Sequence, residues 1–358
     1  MPHTKDKQFK LGLKNFNTMK AIIKKNNRPG LSIENVSIPK VGINDVKIKV
    51  THTAICGTDL HIFKWDEWAQ RTIKTPVTIG HEFCGIINEV GPGVKKLKEG
   101  DRVSGEGHIT CGYCRNCRAG KKHLCPSTIG IGVNCNGAFA EYLVIPESNV
   151  WPVDSEISSE VASFFDPLGN AVHSVLSHEM IGEDVLITGA GPIGLMSIKV
   201  CKFVGARNIV ITDENDFRLN LAKKFGASKA INVKTQNITD HFKDLKIING
   251  FDVGLEMSGN PHALNDMLTH MHHGGKVSLL GLLPKTTNIN WDDVIFKGLI
   301  LKGIYGREMY ETWYKMTQML KSGLDVSQVI THRISVDNFE EGFRVMESGQ
   351  CGKVIMKW

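Results

Sequence analysis

Long apolar runs are missing from this 358-residue chain. None approaches the roughly 18 residues that a membrane-spanning helix needs, which excludes an integral helical membrane protein. A basic block is missing too. The formal net charge is +6, but the 43 Lys and Arg residues are scattered among 37 acidic ones with no aromatic-basic interleaving, so nucleic-acid binding finds no support. Cysteine is sparse at nine residues, which argues against a disulfide-stapled secreted scaffold. The N-terminus lacks an apolar signal core. Residues 1–18 are polar and Lys-bearing and read as a mobile extension ahead of the strand-like run that starts at Met19. These absences point to a cytoplasmic protein.

What remains is ordinary globular material, 41% hydrophobic and 22% charged. The chain is longer than the roughly 250–300 residues at which single cores split, so two domains are expected. From Met19 to about Val150 the chain shows short β-type runs, Val46–Val50, Phe83–Val90 and Phe139–Ile145, punctuated by Gly, Pro and Asp. This is the texture of a β-rich, barrel-like domain. After Ala162 strands alternate with helical segments: Asp184–Thr188, Asn208–Thr212, Gly250–Glu256 and Gly275–Leu280. That rhythm predicts a parallel sheet of βαβ units. A helix around Glu311–Lys321 and a strand at Lys353–Lys357 break the alternation, so the tail is expected to return to the first domain.

The strongest local signal is Cys111, Cys114, Cys117 and Cys125, with two, two and seven residues between successive thiols. Four thiolates so spaced can close around one tetrahedral zinc, and a four-thiolate site has no open position for chemistry. This metal is therefore expected to be structural. A second group, Cys56, Thr58, His61, His81, Glu82 and Asp166, mixes thiolate, imidazole and carboxylate, which suits a zinc with an open position able to polarise an alcohol oxygen. Singly, each of these residues has a plainer role as scaffold. Thr58 and His61, just after Cys56, provide a route by which a proton leaves for solvent.

A dinucleotide site gives that cluster its meaning. The turn Gly189-Ala-Gly191-Pro-Ile193-Gly194 follows an apolar strand and precedes a helix-like run, Leu195–Val204. Strand, glycine turn and helix together present backbone N–H groups to a pyrophosphate. Asp213, 19 residues after Gly194, sits where a carboxylate accepts from ribose hydroxyls and repels a 2′-phosphate, favouring NAD over NADP. Arg218 tempers that preference as a cation available to a phosphate. The group His270, His272 and His273 precedes a Gly-Gly turn and reads as a helix end.

In order and wording these motifs resemble the zinc-dependent medium-chain alcohol dehydrogenases, over essentially Met19–Trp358. They most resemble the branch acting on L-threonine, on strings such as Val103–His108, Phe165–His173, Gly182–Gly194 and Gly303–Met309. The resemblance implies an α/β fold with a β-rich GroES-like catalytic domain, 19–167 and 309–358, and a doubly wound Rossmann domain, 168–308. It implies NAD-dependent oxidation of a hydroxyl, two zinc ions per subunit and a homotetramer. Cys56, His81 and Glu82 carry over as catalytic-zinc residues, Cys111, Cys114, Cys117 and Cys125 as structural-zinc ligands, and Cys56, Thr58 and His61 as the proton relay. Asp166 carries over either as a ligand or beside the metal, and the residues leave that choice open. For NAD the resemblance adds Ile193, Asp213, Arg218, Leu280, Gly281, Leu282, Ile304 and Tyr305. An amino-acid substrate is a zwitterion, so Glu106, His108 and Arg307 become candidates for its pocket. One departure is Cys135-Asn136, where this branch more often shows Arg-Pro. A zinc-dependent polyol or secondary-alcohol dehydrogenase, or a non-catalytic protein binding zinc and NAD, stands as the alternative.

Overall fold

The computed structural model describes residues 18–358. The expected N-terminal extension lies outside the described residues except for Thr18, which opens the first strand opposite Ser37.

The first lobe is built from β1 (Thr18–Lys24), β2 (Ser32–Ser37), β3 (Asp45–Ala54), β4 (Val77–Thr78), β5 (Phe83–Val90), β6 (Arg102–Gly105), β7 (His108–Ile109), β8 (Ile129–Gly130), β9 (Tyr142–Pro146) and β10 (Val150–Pro152). Four short helices lie among and after these strands: α1 (Gly57–Lys64), α2 (Glu67–Thr72), α3 (Arg115–Arg118) and α4 (Ser159–Ser163). The second lobe starts with α5 (Phe165–Val175). It continues through β11 (Asp184–Thr188), α6 (Pro192–Phe203), β12 (Asn208–Asp213), α7 (Asp216–Phe225), β13 (Lys229–Asn232), α8 (Phe242–Leu245) and β14 (Phe251–Glu256). α9 (Pro261–His270), β15 (Met271–Leu279), α10 (Trp291–Phe296) and β16 (Ile300–Gly303) complete it. The tail comprises α11 (Glu311–Lys321), β17 (Ile330–Ser335), α12 (Phe339–Ser348) and β18 (Lys353–Lys357).

The parallel sheet has the order β13-β12-β11-β14-β15-β16. All five residues of β11 are buried, as a strand covered by helices on both faces requires. The chain works outward from β11 to β13, then returns to β14 on the other side. That reversal opens a crevice at the carboxyl ends of β11 and β14, where ligands of doubly wound folds bind. The tail strand β18 pairs antiparallel with β3, so the last residues complete the first lobe's main sheet. A single core cluster runs from Ala54 and Cys84 through Phe165 and Leu168 of α5 to Ile187 of β11 and Trp313 of α11, so α5 is common to both lobes.

Two expected strands differ. Phe139 and Ala140, both fully buried, precede β9 and are held by Ile22 N–H donating to the Phe139 carbonyl and by a bridge from Ala21 to Ala140. They plug the junction between two sheets and do not extend the strand. β15 starts four residues before the expected Gly275, with an irregularity opposite Phe251–Val253. Only His270 ends a helix, and His272 and His273 lie in that irregular start.

Candidate active site and metal centres

The loop 111–125 brings its four sulfurs together. Cys111 and Cys117 are 4.0 Å apart, Cys114 and Cys125 4.0 Å, and Cys111 and Cys125 3.5 Å. Thiolates about 2.3 Å from a tetrahedral zinc stand about 3.8 Å from one another, so the cradle fits the ion. A disulfide needs sulfurs about 2.0 Å apart, and all nine cysteines are free. The local sequence explains the geometry: Cys114 is the N-cap of α3, and its sulfur accepts the Cys117 N–H at 3.4 Å.

A second cradle joins Cys56, at the N-cap of α1, to His81 and Glu82 just before β5. One ligand atom from each lies within 4.8 Å of the others. The His81 side chain is 13% exposed and its Nδ1 has no hydrogen-bond partner; a thiolate, an imidazole and a carboxylate within this reach are a donor set that suits zinc. Burial pushes the Glu82 carboxyl up, against the opposing pull of Lys353 and His81. Lys353 Nζ lies 2.7 Å from Glu82 Oε1 and 2.6 Å from Oε2. Beneath the site, fully buried Asp59 accepts the Cys56 N–H at 2.9 Å and faces His81 at 3.9 Å.

Thr58 and His61 lie one helical turn apart on α1, the spacing that puts both on one face. The Thr58 hydroxyl is 3.8 Å from the Cys56 sulfur. His61 is half-exposed, and its Nδ1 is paired with Asp66, the N-cap of α2. Asp66 and Lys353 were not singled out from the sequence. A carboxylate five residues beyond His61 was a signal available for Asp66; nothing local marks Lys353.

Asp166 lies in the first turn of α5 and is not grouped with Cys56, His81 and Glu82. Its Oδ2 is 2.8 Å from Arg307 Nη1. Arg307 also pairs with Glu106 through Nε at 3.0 Å and through Nη2. Glu106 further accepts from Trp313 Nε1 at 2.9 Å and the His108 N–H at 3.1 Å. Burial raises the Glu106 carboxyl, but Arg307 and His108 outweigh burial and hold it at about 2. Glu106 and Arg307 are thus consumed by each other in the interior, with side-chain exposures of 0% and 2%, and the structure does not offer them as pocket walls. His108 does line a cleft of about 340 Å³ together with Thr58, His81, Asp166 and Tyr305. Its ring stacks on Tyr305 at 5.4 Å.

At the other site, Gly189 has φ 92°, the left-handed region open to glycine. A Cβ at Gly194 would run into the Gly189 carbonyl, whereas one at Gly191 would meet nothing within 4 Å. The turn is therefore tight beneath and open above, at the N-terminus of α6, as a pyrophosphate requires. Asp213 Oδ2 accepts the Ala190 N–H at 2.7 Å and Oδ1 the Asn215 N–H at 2.9 Å, so this carboxylate also braces the turn. A cavity of about 640 Å³ opens beside it, lined by Gly189, Thr212, Asp213, Ile238 and Ser258. Arg218 Nε is buried without a protein partner. Ile193 packs on the core, Leu280 and Gly281 donate their N–H groups to the Glu256 carbonyl at 3.0 and 3.1 Å, and Leu282 is exposed. Ile304 donates to the Leu279 carbonyl at 2.9 Å and is followed by Tyr305 of the cleft.

Comparison with known proteins fits both halves of this geometry. Residues 42–155 match the alcohol dehydrogenase GroES-like domain, and residues 192–322 match the zinc-binding dehydrogenase domain. The chain is 59% identical over 340 residues to the L-threonine 3-dehydrogenase of Chromobacterium violaceum, covering 95% of this chain and 100% of that one. It is 60% identical to that of Marinomonas sp. MWYL1 at the same coverage. Among solved structures, an alcohol dehydrogenase from Escherichia coli CFT073 complexed with NADH superposes with a TM-score of 0.87 at 28% identity, over 96% of this chain and 100% of that one. The 2R,3R-butanediol dehydrogenase of Bacillus subtilis does so with 0.85 at 27%, over 95% and 99%.

Proposed function

The chain belongs to the zinc-dependent medium-chain alcohol dehydrogenase family, and from that premise we propose that it is an L-threonine 3-dehydrogenase. It oxidises the 3-hydroxyl of L-threonine to 2-amino-3-oxobutanoate and reduces NAD, the first step of threonine breakdown to glycine. The observation that carries the substrate is the identity of about 60% to L-threonine 3-dehydrogenases along 95% of the chain.

When bound, zinc at Cys56, His81 and Glu82 would acidify the substrate hydroxyl, and the nicotinamide would accept the hydride. Every other task falls to side chains of the protein. Cys111, Cys114, Cys117 and Cys125 would hold the structural ion. The ligand-atom grouping favours Glu82 over Asp166 as the third catalytic ligand, and Asp166, tied to Arg307, stands beside the site. The Thr58 hydroxyl takes the substrate proton and passes it to His61. Asp66 orients the ring at Nδ1, and exposure of His61 lets the proton reach water. Asp213 and Arg218 would hold the adenosine end of the cofactor, and Ile304 and Tyr305 its nicotinamide end. His108 stays as a substrate-contacting candidate, its ring nitrogen backed by Glu106 at 3.2 Å.

In this reading residues 19–167 and 309–358 form the catalytic domain and 168–308 the NAD domain, supported by the pairing of β18 with β3. The protein is a cytoplasmic homotetramer. Support for assembly comes from β16, the last strand of its sheet, and from exposed Trp291, Phe296 and Ile300 near that edge. Among the described residues, no helix is long and apolar enough to cross a membrane.

The test is NADH formation by zinc-replete protein with L-threonine, D-threonine, L-serine, sorbitol and 2-butanol in parallel. L-threonine should dominate in kcat/KM. Preference for a polyol or simple alcohol would overturn the substrate while leaving the hydride chemistry, and silence despite NAD binding would favour a non-catalytic protein.

A further inference from the structure

Three side chains that the proposed reaction does not use converge between the zinc lobe and the second lobe. His123 comes from the turn 122–124, next to Cys125. His173 comes from the last turn of α5, and Glu308 from the segment between β16 and α11. One ring nitrogen of each histidine and one oxygen of Glu308 lie within 4.8 Å of one another. The two rings meet edge to face at 5.7 Å.

The hydrogen bonding around them is lopsided. Nδ1 of His173 lies 2.8 Å from the Gly306 carbonyl, so it carries the proton and donates. Nε2 is then left with a bare lone pair, 3.7 Å from Glu308 Oε1. Donation from the far ring nitrogen to a backbone carbonyl is the arrangement that orients metal-ligating histidines. The His123 ring is 9% exposed, and its Nδ1 is buried with no hydrogen-bond partner. An unmet buried polar atom is costly, and two imidazoles facing one carboxylate leave more lone pairs than protons to share.

We infer that His123, His173 and Glu308 form a third metal site, separate from the two described above, that takes a divalent transition ion of the zinc class. Two imidazoles and one carboxylate are a borderline donor set suited to zinc or cobalt and poor for calcium or magnesium. Three protein ligands leave a fourth position for water, and Glu308 is 44% exposed, so the ion exchanges with solvent. Its affinity is lower than that of the four-thiolate cradle: the ligands bring one negative charge, and the positive charges of Lys302 and Arg307 stand nearby. The ion ties the zinc lobe to the segment 304–308. That segment carries Tyr305 of the cleft and Arg307 of the buried network, so occupancy stiffens the wall between cofactor and substrate.

The test takes the full-length protein loaded with two equivalents of zinc, enough for the two thiolate-containing cradles, and titrates it with Co2+ alone, by calorimetry and visible absorption. Only the increment above tightly held metal is read, so the result does not depend on the threonine assignment. One further equivalent should bind, with ligand-field bands and no thiolate-to-cobalt charge-transfer band. His123→Gln should abolish that equivalent and Glu308→Gln should weaken it about tenfold or more. The tightly held metal should stay in place in both. Because His123 neighbours the zinc lobe, Glu308→Gln, at the exposed end, is the safer variant for folding. Absence of an extra equivalent at millimolar Co2+, a charge-transfer band on the added ion, or equal affinity in wild type and Glu308→Gln would each overturn the site.

Discussion

Arg307 and Glu106, 201 residues apart in sequence, form a buried ion pair at the junction of the two lobes, with Arg307 Nε 3.0 Å from Glu106 Oε2. The guanidinium reaches Asp166 on its other side, so one cation neutralises two interior carboxylates. Removing it strands both. Arg307→Met should destabilise the protein by about 3–5 kcal/mol, seen as a lower denaturant midpoint. Arg307→Lys should recover little, since a point charge cannot serve the forked geometry. A loss under about 1 kcal/mol for Arg307→Met would contradict this role. Gly169→Ala tests the same pair from outside, because a new Cβ there would strike the Arg307 side chain.

Acid should weaken the fold through His178. Burial, helped by Lys302 and Lys276, pushes its imidazole down to about 4. The folded state therefore binds the proton less readily than the unfolded chain, whose histidine titrates near 6.5. The favourable contribution is complete above about 6.5 and is lost as pH falls from there through about 4. With the residue only partly buried, solvent screening discounts the full shift and the effect is about 1 kcal/mol. In His178→Gln, Tm should fall less steeply over that pH window; an unchanged slope would show that other groups set the acid limit.

The two zinc cradles should separate in their consequences. Cys114→Ser should lower the metal content by one ion per chain and reduce Tm sharply, because the ion closes a loop with little apolar core of its own. Cys56→Ser should abolish turnover with a smaller change in Tm. Equal thermal loss in both variants would show that the catalytic cradle is also a structural support.

Asp213 both braces the glycine turn and faces the nucleotide cavity. Asp213→Ala should raise KM for NAD about tenfold or more, the equivalent of losing one hydrogen bond to a charged group. It should also narrow the preference for NAD over NADP by removing repulsion of a 2′-phosphate. An unchanged KM would limit Asp213 to bracing the turn.

The residues whose convergence is legible in the sequence and those whose convergence is not differ in one physical respect. Cys111 to Cys125 close within one loop, and Gly189 to Asp213 lie within one βαβ unit, so their geometry follows from spacing and local backbone preference. Strands β5 and β11 appear with the bounds expected from alternating or continuous apolar residues. The start of β9 was misread because Phe139 and Ala140 are apolar for a different reason: they fill the gap between two sheets. Asp66 was within reach as a near neighbour of His61.

By itself the sequence determined the βαβ rhythm, the thiol cradle and the nucleotide turn, since each is a short-range arrangement of backbone dihedrals and side-chain types. Tertiary structure alone decided which charges meet. Lys353 reaches Glu82 across 271 residues because β18 returns to β3, Arg307 is drawn inward between Glu106 and Asp166, and His123, His173 and Glu308 converge from three separate segments. Long-range charge pairing leaves no periodicity along a chain. A buried cation has an acidic partner, but only the folded path of the backbone shows which one.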